Sequence, residues 1–261
     1  MAKYGLTFDV EKCCGCYACF LSCRDEFSGK DHLPTAAAQP DGQQWIRIEE
    51  IEHGTGSKVK VDYVPWLCLH CDEPECAKNA PEGAVIKRAD GIVVFDPEKS
   101  KGWRSAPEDC PHGAVSWNNE AGFPQKCTLC AHMHDEGEKT TRCAECCPTG
   151  ALVYGEIPES ADGLVRILGA PKPFLAGEVV YADKPGEPAV GVKVRLLDES
   201  GGECGKCETD FLGDFEFKGL VDGCVYQLVI GQDGYVSKEI TLELRSSTNL
   251  ETIVLSGKEK N

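Results

Sequence analysis

The chain has 261 residues, a formal net charge of -16 and seventeen cysteines. The negative charge argues against nucleic acids and anionic membrane surfaces as partners, because both bind basic patches. No apolar run approaches the ~20 residues that a membrane-spanning helix needs, and the N-terminus MAKYGLTFDVEK lacks the features of a secretory signal. We therefore expect a cytoplasmic protein that is not inserted directly into a membrane.

The cysteines divide the chain into two domains. All but three of them precede residue 148, so we predict a cysteine-rich domain over residues 1–157. In a chain without a secretory signal, metal binding explains so many thiols better than disulfides do. Pro, Gly and Ser residues indicate a linker over 158–173, a strand-rich domain follows over 174–257, and residues 258–261 form a polar tail.

The first element of the cysteine-rich domain is a ligand run with the spacing C-x2-C-x2-C-x3-C, formed by Cys13, Cys16, Cys19 and Cys23. This is the spacing of bacterial ferredoxins, in which three close thiolates bind one iron–sulfur cluster and the fourth cysteine binds the other cluster of a pair. Cys14 interrupts the spacing and is not expected to be a ligand. Residues 24–67 then form a long insertion with two strand-like stretches, QWIRIEEI and KVKVDYV.

Residues 95–110 repeat residues 8–23 but have lost most of the cysteines. The first three ligand positions of the second copy hold Ser100, Trp103 and Ala106. The repeat therefore indicates that the chain descends from a duplicated cluster-binding unit in which one site has been erased. Trp103 is expected to fill part of the vacated volume, because cavities are costly.

A second repeat supplies the distal ligands. The motif C-P-x-G-A occurs at Cys110 and at Cys147, and a third copy at Ala80 lacks its cysteine. The proline fixes the backbone φ angle after the ligand and the glycine allows a tight chain reversal. Ala80 would have been the fourth ligand of the erased site, so all four positions of that site hold other residues.

The remaining cysteines complete three sites of four ligands each, because every close-spaced run takes its fourth thiolate from a distant run. The predicted sets are Cys13, Cys16, Cys19 and Cys147 for cluster 1, Cys127, Cys130, Cys143 and Cys23 for cluster 2, and Cys68, Cys71, Cys76 and Cys110 for cluster 3. Random decay would not spare twelve positions and empty four that belong together. We therefore predict three 4Fe–4S clusters, with iron bound through these twelve cysteines.

Zinc is the alternative for the last run. Cys127, Cys130, Cys143 and Cys146 have the spacing of a closed four-thiolate zinc site. That arrangement would leave Cys23 and Cys147 unused and the first run short of a ligand. We therefore favour clusters, and we interpret Cys14 and Cys146 as thiols that lie next to ligands.

Other chemically notable residues have simpler interpretations. We interpret the C-terminal Cys204, Cys207 and Cys224 as incidental thiols on neighbouring strands, because three cysteines lack a nearby fourth ligand. Each cluster already has four thiolates, so the histidines near them are expected to face solvent or bond the backbone; these are His70, His132 and His134. The tryptophans are expected to pack or to contact a partner; they are Trp45, Trp66 and Trp117. We identify no nucleophile motif or phosphate-binding loop, so this chain alone is expected to carry no catalytic residue and no substrate site.

The C-terminal domain has the period-two alternation of short strands separated by Gly, Asp and Pro turns. Stretches such as VGVKVRLLD and VYQLVIG show this pattern, and residues 209–215 fit a hairpin with a Gly turn. The pattern predicts an antiparallel β-sandwich. The domain resembles the carboxypeptidase-regulatory-like or transthyretin-like sandwiches, so the fold class is α+β, with a ferredoxin-like multi-cluster domain followed by a sandwich.

The cysteine-rich domain resembles the iron–sulfur subunits of the dimethyl-sulfoxide-reductase family of molybdenum enzymes. The matching stretches are WIRIE, CLHCDEPEC, DGIVVFDPEKSKG, EDCPHGAVSWN and QKCTLCAH. Typical members carry four clusters. The pattern of three clusters plus a C-terminal sandwich is most similar to the small subunits of the transhydroxylases that act on pyrogallol and related polyhydroxylated aromatics.

This resemblance implies a heterodimer with a large subunit that holds a molybdenum bis-(molybdopterin guanine dinucleotide) cofactor, where hydroxyl transfer would occur. The chain would then be the electron-transfer subunit of an enzyme that is active only as a complex. One alternative is the corresponding subunit of a hydroxylase of a phenolic such as resorcinol, or of another molybdenum oxidoreductase. A free-standing polyferredoxin, or a structural role for the clusters, are further alternatives.

Overall fold

The structure is a computed structural model that describes residues 3–29, 32, 45–56, 58–169 and 172–258. Contacts divide the chain into two compact units, the first formed by Met1–Ile51 with Asp62–Ala170 and the second by Glu52–Val61 with Pro171–Asn261. Strands dominate and the helices are few and short, so the coarse α+β class is confirmed. Most of the predicted tail, residues 259–261, lies outside the described residues.

The first unit alternates short strands and short helices. In chain order its elements are β1 (Lys3–Asp9), α1 (Ala18–Glu26), β2 (Ile46–Thr55), β3 (Lys58–Leu67), β4 (Val85–Lys87), β5 (Val93–Phe95), α2 (Ala106–Asp109), β6 (Ser116–Asn118), β7 (Phe123–Gln125), α3 (Ala131–Asp135), α4 (Arg142–Glu145), β8 (Leu152–Ile157) and β9 (Val165–Leu168). Strands β2 and β3 pair with each other, and the tip of this hairpin is grouped with the second unit.

A three-stranded sheet with the order β8-β1-β9 forms the centre of the first unit. Strand β1 pairs antiparallel with β8 and parallel with β9. Alternate side chains of β1 point inward, and Leu6 and Phe8 are fully buried in the apolar core. Cys23, Cys127 and Cys143 belong to or pack against the same core, so the sheet supports the cysteine-bearing loops.

The second unit consists of two sheets that share one apolar core. Its strands are β10 (Leu175–Tyr181), β11 (Lys193–Asp198), β12 (Glu203–Glu208), β13 (Asp214–Phe217), β14 (Cys224–Gly231), β15 (Lys238–Leu244) and β16 (Thr248–Leu255). The sheet orders are β13-β10-β16 and β12-β11-β14-β15. The alternation predicted from the sequence is present, because Val194, Leu196, Leu228 and Ile230 are all fully buried.

The predicted hairpin over residues 209–215 is wrong. Strand β12 pairs with β11 and strand β13 pairs with β10, so the segment between them connects the two sheets. Gly213 has a φ of 81°, and its amide donates to the Asp210 carbonyl at 2.9 Å, so the expected glycine turn is present. A tight turn fits both a hairpin and a crossover, because the strand partners are set by distant contacts in the core.

Candidate metal centres

Three C-x2-C loops in the first unit have the same local geometry. The residue before the second cysteine has a left-handed backbone in each loop, with φ of 67° at Gly15, 50° at His70 and 50° at Leu129. This turns the amide of that residue toward the first cysteine. The amides of His70 and Leu129 donate to the sulfurs of Cys68 and Cys127, both at 3.4 Å. Each loop therefore folds around a thiol, and in these two the thiol receives a hydrogen bond.

The four cysteines predicted for cluster 3 line one cavity. They come from the loop after β3, from a short 3-10 helix over Glu75–Ala77, and from the residue after α2. The members are Cys68, Cys71, Cys76 and Cys110. Lys126 and His70 complete part of the wall. Burial raises the pKa of Cys76 to about 11, because a thiolate is costly in apolar surroundings without a metal.

The four cysteines predicted for cluster 2 line a second cavity. These are Cys23, Cys127, Cys130 and Cys143. The rest of the wall is mainly apolar and includes Phe27, Trp45 and Ile46. Burial raises the pKa of Cys127 to about 12 and that of Cys130 to about 11. The Thr141 hydroxyl lies 3.3 Å from the Cys143 sulfur.

The four cysteines predicted for cluster 1 are closer to the surface, and their mutual electrostatic effects indicate their proximity. Burial raises the pKa of Cys13, and repulsion from Cys147 and Cys16 adds to the rise. Burial also raises the pKa of Cys19 to about 12, with contributions from Cys13 and Cys147. Burial would raise the pKa of Cys147 too, but the Leu152 amide at 3.3 Å and the Thr149 hydroxyl outweigh it and lower the pKa.

Helix α1 connects the first two sets. Cys19 and Cys23 are one helical turn apart, so they share a face of α1. Cys19 belongs to the set predicted for cluster 1 and Cys23 lines the cavity of the set predicted for cluster 2. A three-residue gap in the ligand run thus divides the run between two neighbouring sites.

The four positions of the erased site are packed together. Ser100 and Ala106 are fully buried, and Trp103 is 7% exposed. Trp103 and Ala106 belong to one apolar cluster against which Ala80 packs. The Trp103 ring lies 5.6 Å from the Phe95 ring, and its indole N–H donates to Asp109 at 3.1 Å. Trp103 therefore occupies buried volume at the erased site, as expected.

Among the described residues, no group of cysteines has the close spacing of a single zinc site. Zinc–sulfur bonds of ~2.3 Å in a tetrahedron place the sulfurs about 3.8 Å apart. Among the described residues, the only three ligand atoms of His, Cys, Asp or Glu side chains that lie within 4.8 Å of one another belong to Glu26, His32 and His132. Cys146 instead lies 3.0 Å from the Ser22 hydroxyl and donates to the Cys143 carbonyl at 3.4 Å.

The Glu26–His32–His132 trio is explained by protein contacts alone. The carboxylate of Glu26 accepts hydrogen bonds from Arg142 at 2.7 Å and from His132 at 3.0 Å. The ring nitrogen Nε2 of His32 lies 3.2 Å from the Glu26 carbonyl. Every candidate ligand atom therefore already has a hydrogen-bond partner, and the Glu26 carboxylate forms its ion pair with Arg142.

The histidines near the cysteines bond to protein groups. His70 is fully buried, and its Nδ1 accepts the Val93 amide at 3.0 Å. His134 Nδ1 lies 3.0 Å from the Glu138 carbonyl. In the second unit, Cys204 and Cys224 are exposed and Cys207 is half-buried, without a fourth metal ligand in the described parts of the chain. The sequence did not single out Lys126, because a lysine beside a ligand is ordinarily exposed.

None of the described helices is long and apolar enough to cross a membrane. Residues 59–157 match the 4Fe-4S dicluster domain family. The chain is 34% identical to the pyrogallol hydroxytransferase small subunit of Pelobacter acidigallici, over 90% of this chain and 92% of that protein. The chain belongs to the family of iron–sulfur subunits of molybdenum enzymes. It therefore binds iron–sulfur clusters and functions with a catalytic partner subunit.

Other relatives match a smaller share of the chain. The chain is 36% identical to the probable anaerobic dimethyl sulfoxide reductase chain YnfG of Escherichia coli, over 60% of this chain and 75% of that protein. It is 30% identical to a tetrathionate reductase subunit of Salmonella typhimurium, over 64% of this chain and 63% of that protein. Of these three, the match to the Pelobacter protein covers the largest share of the chain.

Proposed function

We propose that this chain is the electron-transfer subunit of a molybdopterin-dependent heterodimeric enzyme that acts on polyhydroxylated aromatic compounds. The observation that carries the proposal is that eight of the predicted ligands line two cavities, four cysteines in each. The 34% identity to a pyrogallol hydroxytransferase small subunit over nearly the whole chain supports the substrate class. Iron–sulfur clusters supply one-electron transfer when bound. Substrate chemistry is assigned to the partner subunit.

The three sets would each hold one 4Fe–4S cluster. The two cavities lined by four cysteines each support clusters 2 and 3, and the mutual electrostatic effects of Cys13, Cys19 and Cys147 support cluster 1. Because a thiol must lose its proton to bind iron, the raised pKa values mean that cluster assembly releases protons. The left-handed loops contribute amide donors to sulfur, which favour the more negative, reduced state.

The clusters would form a chain in the order 1, 2, 3. Cys19 and Cys23 on α1 support contact between the first two sites, since Cys19 contributes to the raised pKa of Cys23. Cys68 likewise contributes to the raised pKa of Cys127, which supports proximity of the second and third sites. The mainly apolar wall around the second site would exclude water from the middle of this path.

The expected partner is a large subunit that holds a molybdenum bis-(molybdopterin guanine dinucleotide) cofactor, and we propose a cytoplasmic heterodimer. The first unit would be a ferredoxin-like domain. The two sheets of the second unit, which share one core, support a β-sandwich of the carboxypeptidase-regulatory or transthyretin type. The sandwich would contact the large subunit or cover a substrate entrance. Deleting residues 174–261 should then weaken the complex, and a fully active complex without them would refute this role.

Anaerobic purification from the native host, through a tag on this chain, tests the proposed function. The expected result is co-purification of a large subunit with about one molybdenum per chain. A small species without molybdenum or tungsten would contradict the proposal and favour a free-standing polyferredoxin. Adding a phenolic substrate without an acceptor distinguishes the two reactions. Hydroxyl transfer would leave the clusters' redox state unchanged, whereas a hydroxylase would reduce them.

A further inference from the structure

Lys126 is a buried lysine beside two of the proposed cluster sites. The residue is only 3% exposed. Its ammonium group donates hydrogen bonds to the carbonyls of Val93 and Cys127, the latter at 3.2 Å. It also lies 5.3 Å from the centre of the Phe95 ring, on the ring face. These contacts fix the ammonium group in the interior of the first unit.

The hydrogen bonds of Lys126 leave its charge uncompensated. In the described ranges of the chain, no carboxylate lies within 4.0 Å of the ammonium nitrogen. Carbonyl oxygens and an aromatic face solvate the group partly, but they carry no net charge. An isolated ammonium in such surroundings is costly, and buried charges are normally paired. The site therefore requires a negative partner beyond the neutral groups that contact Lys126.

The position of Lys126 indicates where that negative charge lies. The residue lines the cavity formed by Cys68, Cys71, Cys76 and Cys110. Its chain neighbour Cys127 lines the other cavity, together with Cys23, Cys130 and Cys143. One buried cation is thus adjacent to the thiols of both sets.

We propose that the Lys126 ammonium is the counter-charge shared by clusters 2 and 3 and that it raises the reduction potentials of both. This inference rests on the proposed binding of these two clusters by the eight cysteines. A 4Fe–4S cluster with four thiolate ligands is anionic, and gaining an electron makes it more so. A fixed positive charge at short range in a low-dielectric interior therefore stabilises the reduced form more than the oxidised form.

The first set of cysteines provides an internal comparison. The lysine next to it, Lys12, has a side chain that is 61% exposed and pairs with Asp9 at 2.8 Å. Its charge is therefore both screened by solvent and compensated. Cluster 1 should consequently be insensitive to Lys126, so that one substitution separates the potentials of two clusters from that of the third.

The test is a redox titration, followed by EPR spectroscopy, of the native complex with Lys126→Gln. Glutamine keeps a hydrogen-bond donor near the two carbonyls but removes the charge. Clusters 2 and 3 should each lose about tenfold in the equilibrium constant for reduction, a downward shift of about 59 mV for a one-electron couple. Cluster 1 should not shift. The matched control is Lys101→Gln, which removes the same charge from an exposed position and should shift none of the three.

Iron content separates failure of this inference from failure of the proposed function. If the complex without substitutions holds fewer than about twelve irons in this chain, the clusters themselves were wrongly assigned. If Lys126→Gln keeps all clusters and all three potentials stay unchanged, the counter-charge is refuted. If Lys126→Gln loses iron while Lys126→Arg retains it, the charge is required to hold the clusters and the proposal stands. Loss of iron in both variants would show that side-chain shape is what matters and would contradict it.

Discussion

Cys110 lies on the wall of the same cavity as Cys76, although α2 and the erased site separate them in the chain. If the two hold one cluster, Cys110→Ser should remove or convert that cluster and leave the other two intact. EPR spectra of the reduced complex would show the loss of one 4Fe–4S signal. Cys14→Ser is the matched control, because Cys14 is exposed and lies outside the three sets. An unchanged spectrum for Cys110→Ser would contradict the assignment of Cys110 as a cluster ligand.

The adjacent residues Cys146 and Cys147 should differ in their response to substitution. The Cys147 sulfur accepts the Leu152 amide at 3.3 Å, whereas Cys146 bonds to the Cys143 carbonyl. We expect Cys147→Ser to lose cluster 1, and with it about four irons per chain. Cys146→Ser should keep all three clusters. Iron and zinc analysis of both variants decides between the cluster and zinc assignments. Zinc loss from Cys146→Ser, with no iron lost from Cys147→Ser, would favour zinc.

The cluster-forming geometry of the erased site should be recoverable. Gly102 has a φ of 79° and occupies the position that corresponds to Gly15, so the left-handed turn persists without its cysteines. Combining Ala80→Cys, Ser100→Cys, Trp103→Cys and Ala106→Cys removes the indole from the buried volume and supplies four thiols. We predict about four additional irons per chain after anaerobic reconstitution.

The control for this design omits Ala80→Cys, since three thiols alone lack the distal ligand. This variant should bind less additional iron than the complete design. If the four-cysteine variant gains no iron although its original clusters are present, the interpretation of residues 95–110 as a former cluster site is contradicted.

Thr209 should stabilise the second unit through two buried hydrogen bonds. Its hydroxyl accepts the Val192 amide at 2.9 Å and donates to the Ala189 carbonyl, and the residue is 4% exposed. Thr209→Val keeps the side-chain volume but leaves both backbone groups unpaired. We expect this to lower the free energy of unfolding by about 1–3 kcal/mol. Each kcal/mol lowers the midpoint of thermal unfolding by ~4–8 °C for a unit of this size.

Calorimetry of the full chain would measure this shift, with Thr241→Val as the control because Thr241 is exposed on β15. Equal midpoints for Thr209→Val and Thr241→Val would show that the two backbone groups find other partners when the hydroxyl is removed.

The cysteine grouping could be predicted from the sequence because ligand spacing is a local property. The division of the first run between Cys19 and Cys23, and the pairing of Cys110 with the second run, follow from repeats in the chain. The environment of Lys126 could not be predicted from the sequence, because its burial depends on Val93 and Phe95 from a distant strand. The connection between β12 and β13 was mistaken for the same reason, because a glycine turn carries no information about strand partners.

The most direct test of three clusters is the iron and zinc content of this chain after anaerobic purification from its native host. We predict about twelve irons per chain and no stoichiometric zinc, with about four more irons if the partner subunit carries a cluster of its own. Eight irons or fewer, accompanied by about one zinc, would contradict the account and assign Cys127, Cys130, Cys143 and Cys146 to zinc.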